Sequence, residues 1–137
     1  FFDTADVYGT GHSEKVLARA LEGRRQDVVL ATKFGVTFEE TTRQVTGTSA
    51  SPEYIRQACE ASLKRLNTEY IDLYQFHLND YDPDQAGTVR DVLEELIPIG
   101  KIRAYGWSTD FPERDKVFAE GPNCTTVQHQ QNVLRRG

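Results

Sequence analysis

Five short apolar runs alternate with four segments of helical period along this chain of 137 residues. No other feature constrains the fold as much. The runs are 1–2, 28–31, 70–76, 102–107 and 125–130, and each is too short for a helix. Between the first two, Ser13 and Glu14 open a helical stretch with Val16, Leu17, Ala20 and Leu21 as its apolar stripe, and Gly23 stops it. Ser51-Pro52-Glu53 starts a second helix, a capping serine followed by proline at the first helical position; Ile55, Cys59, Ser62, Leu63 and Leu66 follow at helical spacing. A third helix carries Val89, Val92, Leu93 and Leu96, and Pro98 kinks or ends it. A fourth, short helix runs from about Pro112 to Glu120. Residues 36–51 are polar, rich in threonine and without period, which predicts a long loop; 79–87 predicts another.

Strand–helix alternation of this kind implies a parallel sheet with right-handed crossovers. A doubly wound sheet satisfies the alternation as well as a barrel does. Polar residues that end several different strands tilt the reading toward a barrel, where strand ends converge on one mouth. Those residues are Asp3 and Tyr8 in FFDTADVYG, Lys33 closing DVVLATKFG, and His77 closing YIDLYQFH.

A phenol is a poor acid at neutral pH, and a nearby ammonium favours its ionised form. Lys33 supplies an ammonium, Asp3 a carboxylate to hold it, and His77 an imidazole to orient a carbonyl oxygen against Tyr8. Together they protonate an oxygen while something else attacks the carbon. With no metal-ligand spacing and no activated nucleophile in the sequence, the expected attacker is a hydride from a nicotinamide cofactor.

The residues DTADVYG followed by SEKVLARAL resemble the aldo-keto reductase signature around its catalytic Asp and Tyr. VVLATKFG resembles the family's lysine strand, SLKRLNTEYIDLYQFH its histidine strand, GKIRAYGWST its Ser-Asn segment and VQHQQNVL the next strand. The resemblance runs through nearly all of the chain in family order. It implies a (β/α)8 TIM barrel, of which residues 1–137 are one incomplete central domain portion matching strands two to six. It makes Tyr8 the general acid, Lys33 and Asp3 its tuning pair and His77 the orienting residue. Ser108 and Gln128 match positions that contact the nicotinamide carboxamide. Thr109 stands where the family usually has asparagine, and a hydroxyl makes fewer hydrogen bonds than an amide. Gln131 replaces an aromatic residue of many relatives and is given no role. The activity implied is NADPH-dependent reduction of an aldehyde or ketone, with NADH as the second candidate. A cofactor-binding regulatory or sensor subunit of the same fold, or an inactive fragment, is the alternative.

The net charge of −5 gives no footprint for nucleic acid or an anionic membrane. No apolar stretch reaches the length of a membrane span and no signal-peptide core opens the chain, so cytoplasm is the expected compartment. Cys59 and Cys124 lack metal or disulfide-scaffold spacing. His12 and His129 read as structural, Trp107 as packing near the mouth, and Lys101 and Arg103 as serving the far end of the barrel. Arg135-Arg136 is too short a basic run to signal nucleic acid. Phe1-Phe2 reads as the end of a buried strand, and both termini read as cuts through a larger fold that would leave the chain alone inactive.

Overall fold

The computed structural model describes residues 1–111 and 113–130. In chain order its elements are β1 (Phe2–Asp3), α1 (His12–Ala20), β2 (Leu30–Phe34), β3 (Val36–Glu39), β4 (Gln44–Thr48), α2 (Pro52–Leu66), β5 (Ile71–Phe76), α3 (Pro83–Leu96), β6 (Ile102–Ser108), α4 (Lys116–Ala119) and β7 (Cys124–Gln128). Strands β1, β2, β5, β6 and β7 lie side by side in that order, every pair parallel. The alternation read from the sequence therefore becomes a five-stranded parallel sheet.

The register divides the strands into two faces, because successive side chains point to opposite sides. Asp3, Ala31, Leu73 and Ala104 stand abreast, and Lys33, Gln75, Gly106 and Thr126 form the next row. The alternate residues Leu30, Phe34, Tyr74, Phe76, Tyr105 and Trp107 pack on the other side against Ile55, Cys59, Leu63, Val89, Leu93 and Phe118 of the helices. All four helices thus cover one face. A doubly wound sheet carries helices on both, so the sheet is barrel-like. At Gly106 a Cβ would run into the hydroxyl and carbonyl of Thr126. Glycine is what lets β7 approach β6 there.

Helix α2 begins as its sequence predicts: the Ser51 hydroxyl accepts from the Tyr54 N–H at 3.2 Å and Pro52 follows the cap. Asp82-Pro83 uses the same device for α3, with the Asp82 carboxylate accepting from the Asp84 N–H at 3.0 Å. The helix therefore starts inside the predicted 79–87 loop and ends at Leu96, ahead of Pro98.

Five expectations need correction. Residues 36–51 are not a plain loop, because β3 and β4 pair antiparallel, Val36 opposite Thr48 and Glu39 opposite Gln44. Their β-branched and aromatic content suits strands, but β4 is exposed on both sides and shows no alternation. Strand β2 starts at Leu30 and includes Lys33, since the Arg25 guanidinium holds the Val28 carbonyl at 3.2 Å in the preceding turn and leaves Val29 exposed. In α1 the buried residue is Glu14, while Val16 faces solvent. Phe2 lies on an edge strand and is 41% exposed rather than buried. The fourth helix shrinks to Lys116–Ala119, and Pro112 lies outside the described residues.

Candidate active site

Lys33 points from β2 into the concave face with only 2% of its side chain exposed, which would be costly for an unpaired ammonium. It is fully engaged. Nζ donates to both carboxylate oxygens of Asp3, at 2.8 and 2.7 Å, and to the Thr4 carbonyl at 2.9 Å. Three donors thus meet three acceptors, and the charge has no freedom to wander.

Tyr8 sits on the turn that leaves β1. Gly9, Thr10 and Gly11 all take positive φ (59°, 52° and 87°), which folds the loop back on itself and begins α1. At Gly11 a Cβ would also lie 2.7 Å from Cδ of Arg65, so the position excludes a side chain twice over. The loop presents the Tyr8 ring with its face 5.6 Å from Lys33 Nζ and nearly perpendicular to the His77 ring, the ring centroids 6.0 Å apart at 81°. The phenol is 46% exposed and open to a substrate.

His77 follows β5, its backbone N–H bonded to the Phe34 carbonyl at 2.8 Å. Burial, reinforced by the Lys33 ammonium and opposed by Asp3, holds its pKa below the ordinary imidazole value. The ring is therefore neutral near pH 7 and offers one N–H. Its Nδ1 is buried without a partner among the described residues.

The four residues separated by up to 74 positions in sequence thus come together at the strand ends, as the reading expects. Beside them lies a cleft of about 370 Å³ lined by His77, Asn79, Ser108, Thr109, Asp110 and Gln128, among others. Gln128 donates from Nε2 to Asp3 Oδ2 at 3.1 Å and accepts at Oε1 from Gln75 Nε2 at 2.9 Å. Ser108 lines the cleft half-buried. Thr109 lines the same cleft. Its hydroxyl donates to the Asn79 carbonyl at 2.8 Å and accepts from the Phe111 N–H at 3.2 Å, so its donor is used within the mouth loops. Gln131 lies outside the described residues. Lys101 pairs with Glu60, and Arg103 with Asp72 at 2.9 Å, both away from the mouth as expected. Trp107 is fully buried and donates to the Leu78 carbonyl at 3.0 Å.

Among protein families, the aldo/keto reductase family model matches residues 1–136. The chain belongs to that family. It is 35% identical to the uncharacterized oxidoreductase YqkF of Bacillus subtilis (strain 168), over 99% of this chain and 44% of that protein. Among solved structures it is similar to the aldo-keto reductase AKR11C1 of Bacillus halodurans (holo form), with TM-score 0.84 and 40% identity over 94% of this chain and 43% of that one. It is also similar to an aldo/keto reductase from Klebsiella pneumoniae in complex with NADP and acetate, with TM-score 0.72 and 32% identity over 91% and 41% of the two chains. The chain spans less than half the length of these relatives. Its five parallel strands and outer helices are the corresponding portion of the family's (β/α)8 barrel.

Behind the tetrad loop, this aldo-keto reductase chain buries a second polar cluster that the sequence reading missed. Glu14, fully buried, accepts from Arg65 Nε at 2.6 Å and from the Thr32 hydroxyl at 2.6 Å. Arg65 also reaches Glu40 on the β3–β4 turn at 3.0 Å. Asp6 lies beside them, 2% exposed, with Oδ1 unpartnered among the described residues. Burial, then the Glu14 charge, push its pKa up to about 8, against the opposing pull of Arg65 and the Val7 N–H. The folded chain keeps a proton that the unfolded chain releases near 3.8. Stability is therefore lost as pH rises from that value toward 8, by at most about 1.4 kcal/mol per pH unit. Asp6→Asn keeps the shape without the charge. Thermal melts of this variant should show a flatter profile over that interval and a Tm several degrees higher at pH 8. A slope equal to that of the parent protein would contradict the assignment of a buried, protonated Asp6.

Proposed function

We propose that this chain carries the proton-transfer centre and part of the cofactor seat of an NADPH-dependent carbonyl reductase that converts an aldehyde or ketone to an alcohol. The observation that carries this reading is the Lys33 ammonium, buried and clamped by Asp3 and Thr4 beneath the face of the exposed Tyr8 ring. Tyr8 gives its proton to the carbonyl oxygen as that oxygen takes up the electron pair of the C=O π bond. Lys33 stabilises the negative charge left on the phenol oxygen, and Asp3 fixes Lys33. His77, neutral, donates a hydrogen bond that places the carbonyl oxygen against Tyr8. A bound nicotinamide supplies the hydride that reaches the carbonyl carbon.

The cleft beside the tetrad fits the carboxamide end of such a cofactor. Gln128 keeps one amide hydrogen and one lone pair beyond its bonds to Asp3 and Gln75, and Ser108 adds a hydroxyl. The NADP of the Klebsiella relative supports NADPH over NADH. The two thiols, both free, fit a reducing compartment such as the cytoplasm.

Stopped-flow mixing of the intact protein, preloaded with NADPH or NADH, with a panel of aldehydes and ketones tests the reading. Oxidation of bound NADPH within seconds is the expected result. Tight binding with no oxidation by any carbonyl would instead identify a cofactor-binding sensor.

A further inference from the structure

Gln75 interrupts the apolar strand β5, and neither the tetrad nor the cleft wall accounts for it. It is 2% exposed, and its Oε1 is buried with no partner among the described residues. An amide left half-satisfied costs free energy that an aliphatic side chain of the same size would not. Its other end is well used. Nε2 donates to Gln128 Oε1 at 2.9 Å and points at Asp3 Oδ1 from 3.5 Å, while Gln128 Nε2 donates to Asp3 Oδ2 at 3.1 Å.

The three side chains form a closed triangle with only one self-consistent set of orientations. Both oxygens of Asp3 already accept from Lys33, and Asp3 offers Gln75 an acceptor alone. Turning the Gln75 amide would set its oxygen against Asp3 and against Gln128 Oε1. With Gln75 so fixed, Gln128 must turn its oxygen to Gln75 and its NH2 to Asp3. The second hydrogen and the second lone pair of Gln128 are then the groups left for the cleft.

We propose that Gln75 is a positioning residue that locks the orientation of the Gln128 amide, and so sets which donor and acceptor meet the nicotinamide carboxamide. The role rests on the reading above, in which Gln128 contacts that carboxamide. Gln75 never touches the cofactor. It acts through its bond to Gln128, and the same triangle joins the cofactor seat to the carboxylate that holds Lys33.

The test is a set of fluorescence titrations on the intact protein, on Gln75→Leu, Gln75→Met and Gln128→Leu, and on the double variant Gln75→Leu/Gln128→Leu. Three probes are used: NADPH, its reduced 3-acetylpyridine analogue, in which a methyl replaces the carboxamide NH2, and 2′-phospho-ADP-ribose, which lacks the nicotinamide. Gln75→Met preserves an unbranched side chain of similar volume and guards against a packing defect. Each Gln75 variant should weaken NADPH about tenfold, the equivalent of one lost hydrogen bond of ordinary strength. Each should also erase most of the preference for NADPH over the analogue and leave 2′-phospho-ADP-ribose within about twofold. In the Gln128→Leu background, Gln75→Leu should add almost nothing. Additive losses, or an equal loss for 2′-phospho-ADP-ribose, would overturn the role of Gln75 while leaving Gln128 as a cofactor contact. If Gln128→Leu itself leaves NADPH affinity unchanged, the reading of Gln128 fails and the proposal falls with it.

Discussion

Replacing Tyr8 with phenylalanine should lower kcat for carbonyl reduction by about 10³-fold or more, within the range that a positioned general acid contributes. The affinity for NADPH should change less than about twofold, because no atom of the cofactor seat is removed. The geometry makes this a clean substitution. Tyr8→Phe keeps the ring whose face lies 5.6 Å from Lys33 Nζ and which stands at 81° to the His77 ring. Only the hydroxyl disappears. Lys33 stays clamped, since all three of its bonds go to Asp3 and Thr4. Steady-state rates with one reactive aldehyde, set beside a cofactor titration, measure both quantities. Full turnover by the variant would remove Tyr8 as the proton donor and with it the reading of the site.

The largest effect on stability should come from Arg65→Met, a loss of about 3–5 kcal/mol measured by urea unfolding. Among the described residues Arg65 is the one cation bonded to Glu14, whose side chain is 0% exposed, and it also pulls the Asp6 pKa down against burial and the Glu14 charge. Methionine fills much of the volume but leaves Glu14 an uncompensated charge against Thr32. The β3–β4 turn would also lose the hold of Arg65 on Glu40. Adding Glu14→Gln to Arg65→Met should recover most of the loss, because a neutral amide of the same shape can still accept from the Thr32 hydroxyl. A double variant no more stable than the single one would show that packing, not charge, dominates at this position.

The strand order and the tetrad were legible because both are written in local patterns: an apolar run, then a polar residue at its end. Residues 36–51 were misread for the same reason. Strand β4 is exposed on both sides, so no alternation marks it, and only its pairing with β3 makes it a strand. The buried face of α1 was misjudged because hydrophobicity alone locates Val16 and Leu17, whereas Glu14 is buried by a partner 51 residues away. Gln75 carried a signal that went unused. An amide in a six-residue strand buried throughout, two positions before His77, lies on the same face as the tetrad by simple parity. That Thr109 spends its hydroxyl on Asn79 depends on two loops meeting, which no local pattern records.

The two faces of the parallel strands carry separable tasks. Leu30, Phe34, Tyr74, Phe76, Tyr105 and Trp107 hold the helices, while Asp3, Lys33, Gln75 and Gln128, interleaved with them in sequence, hold one another. Neighbouring residues along the chain therefore answer to different constraints. Drift among the helix-facing residues can retune rigidity while the concave network keeps its pairings. Drift at Leu73, Ala104 or Thr126 can reshape the concave floor without loosening a helix. A chain organised in this way can diversify its chemistry and its robustness along independent paths.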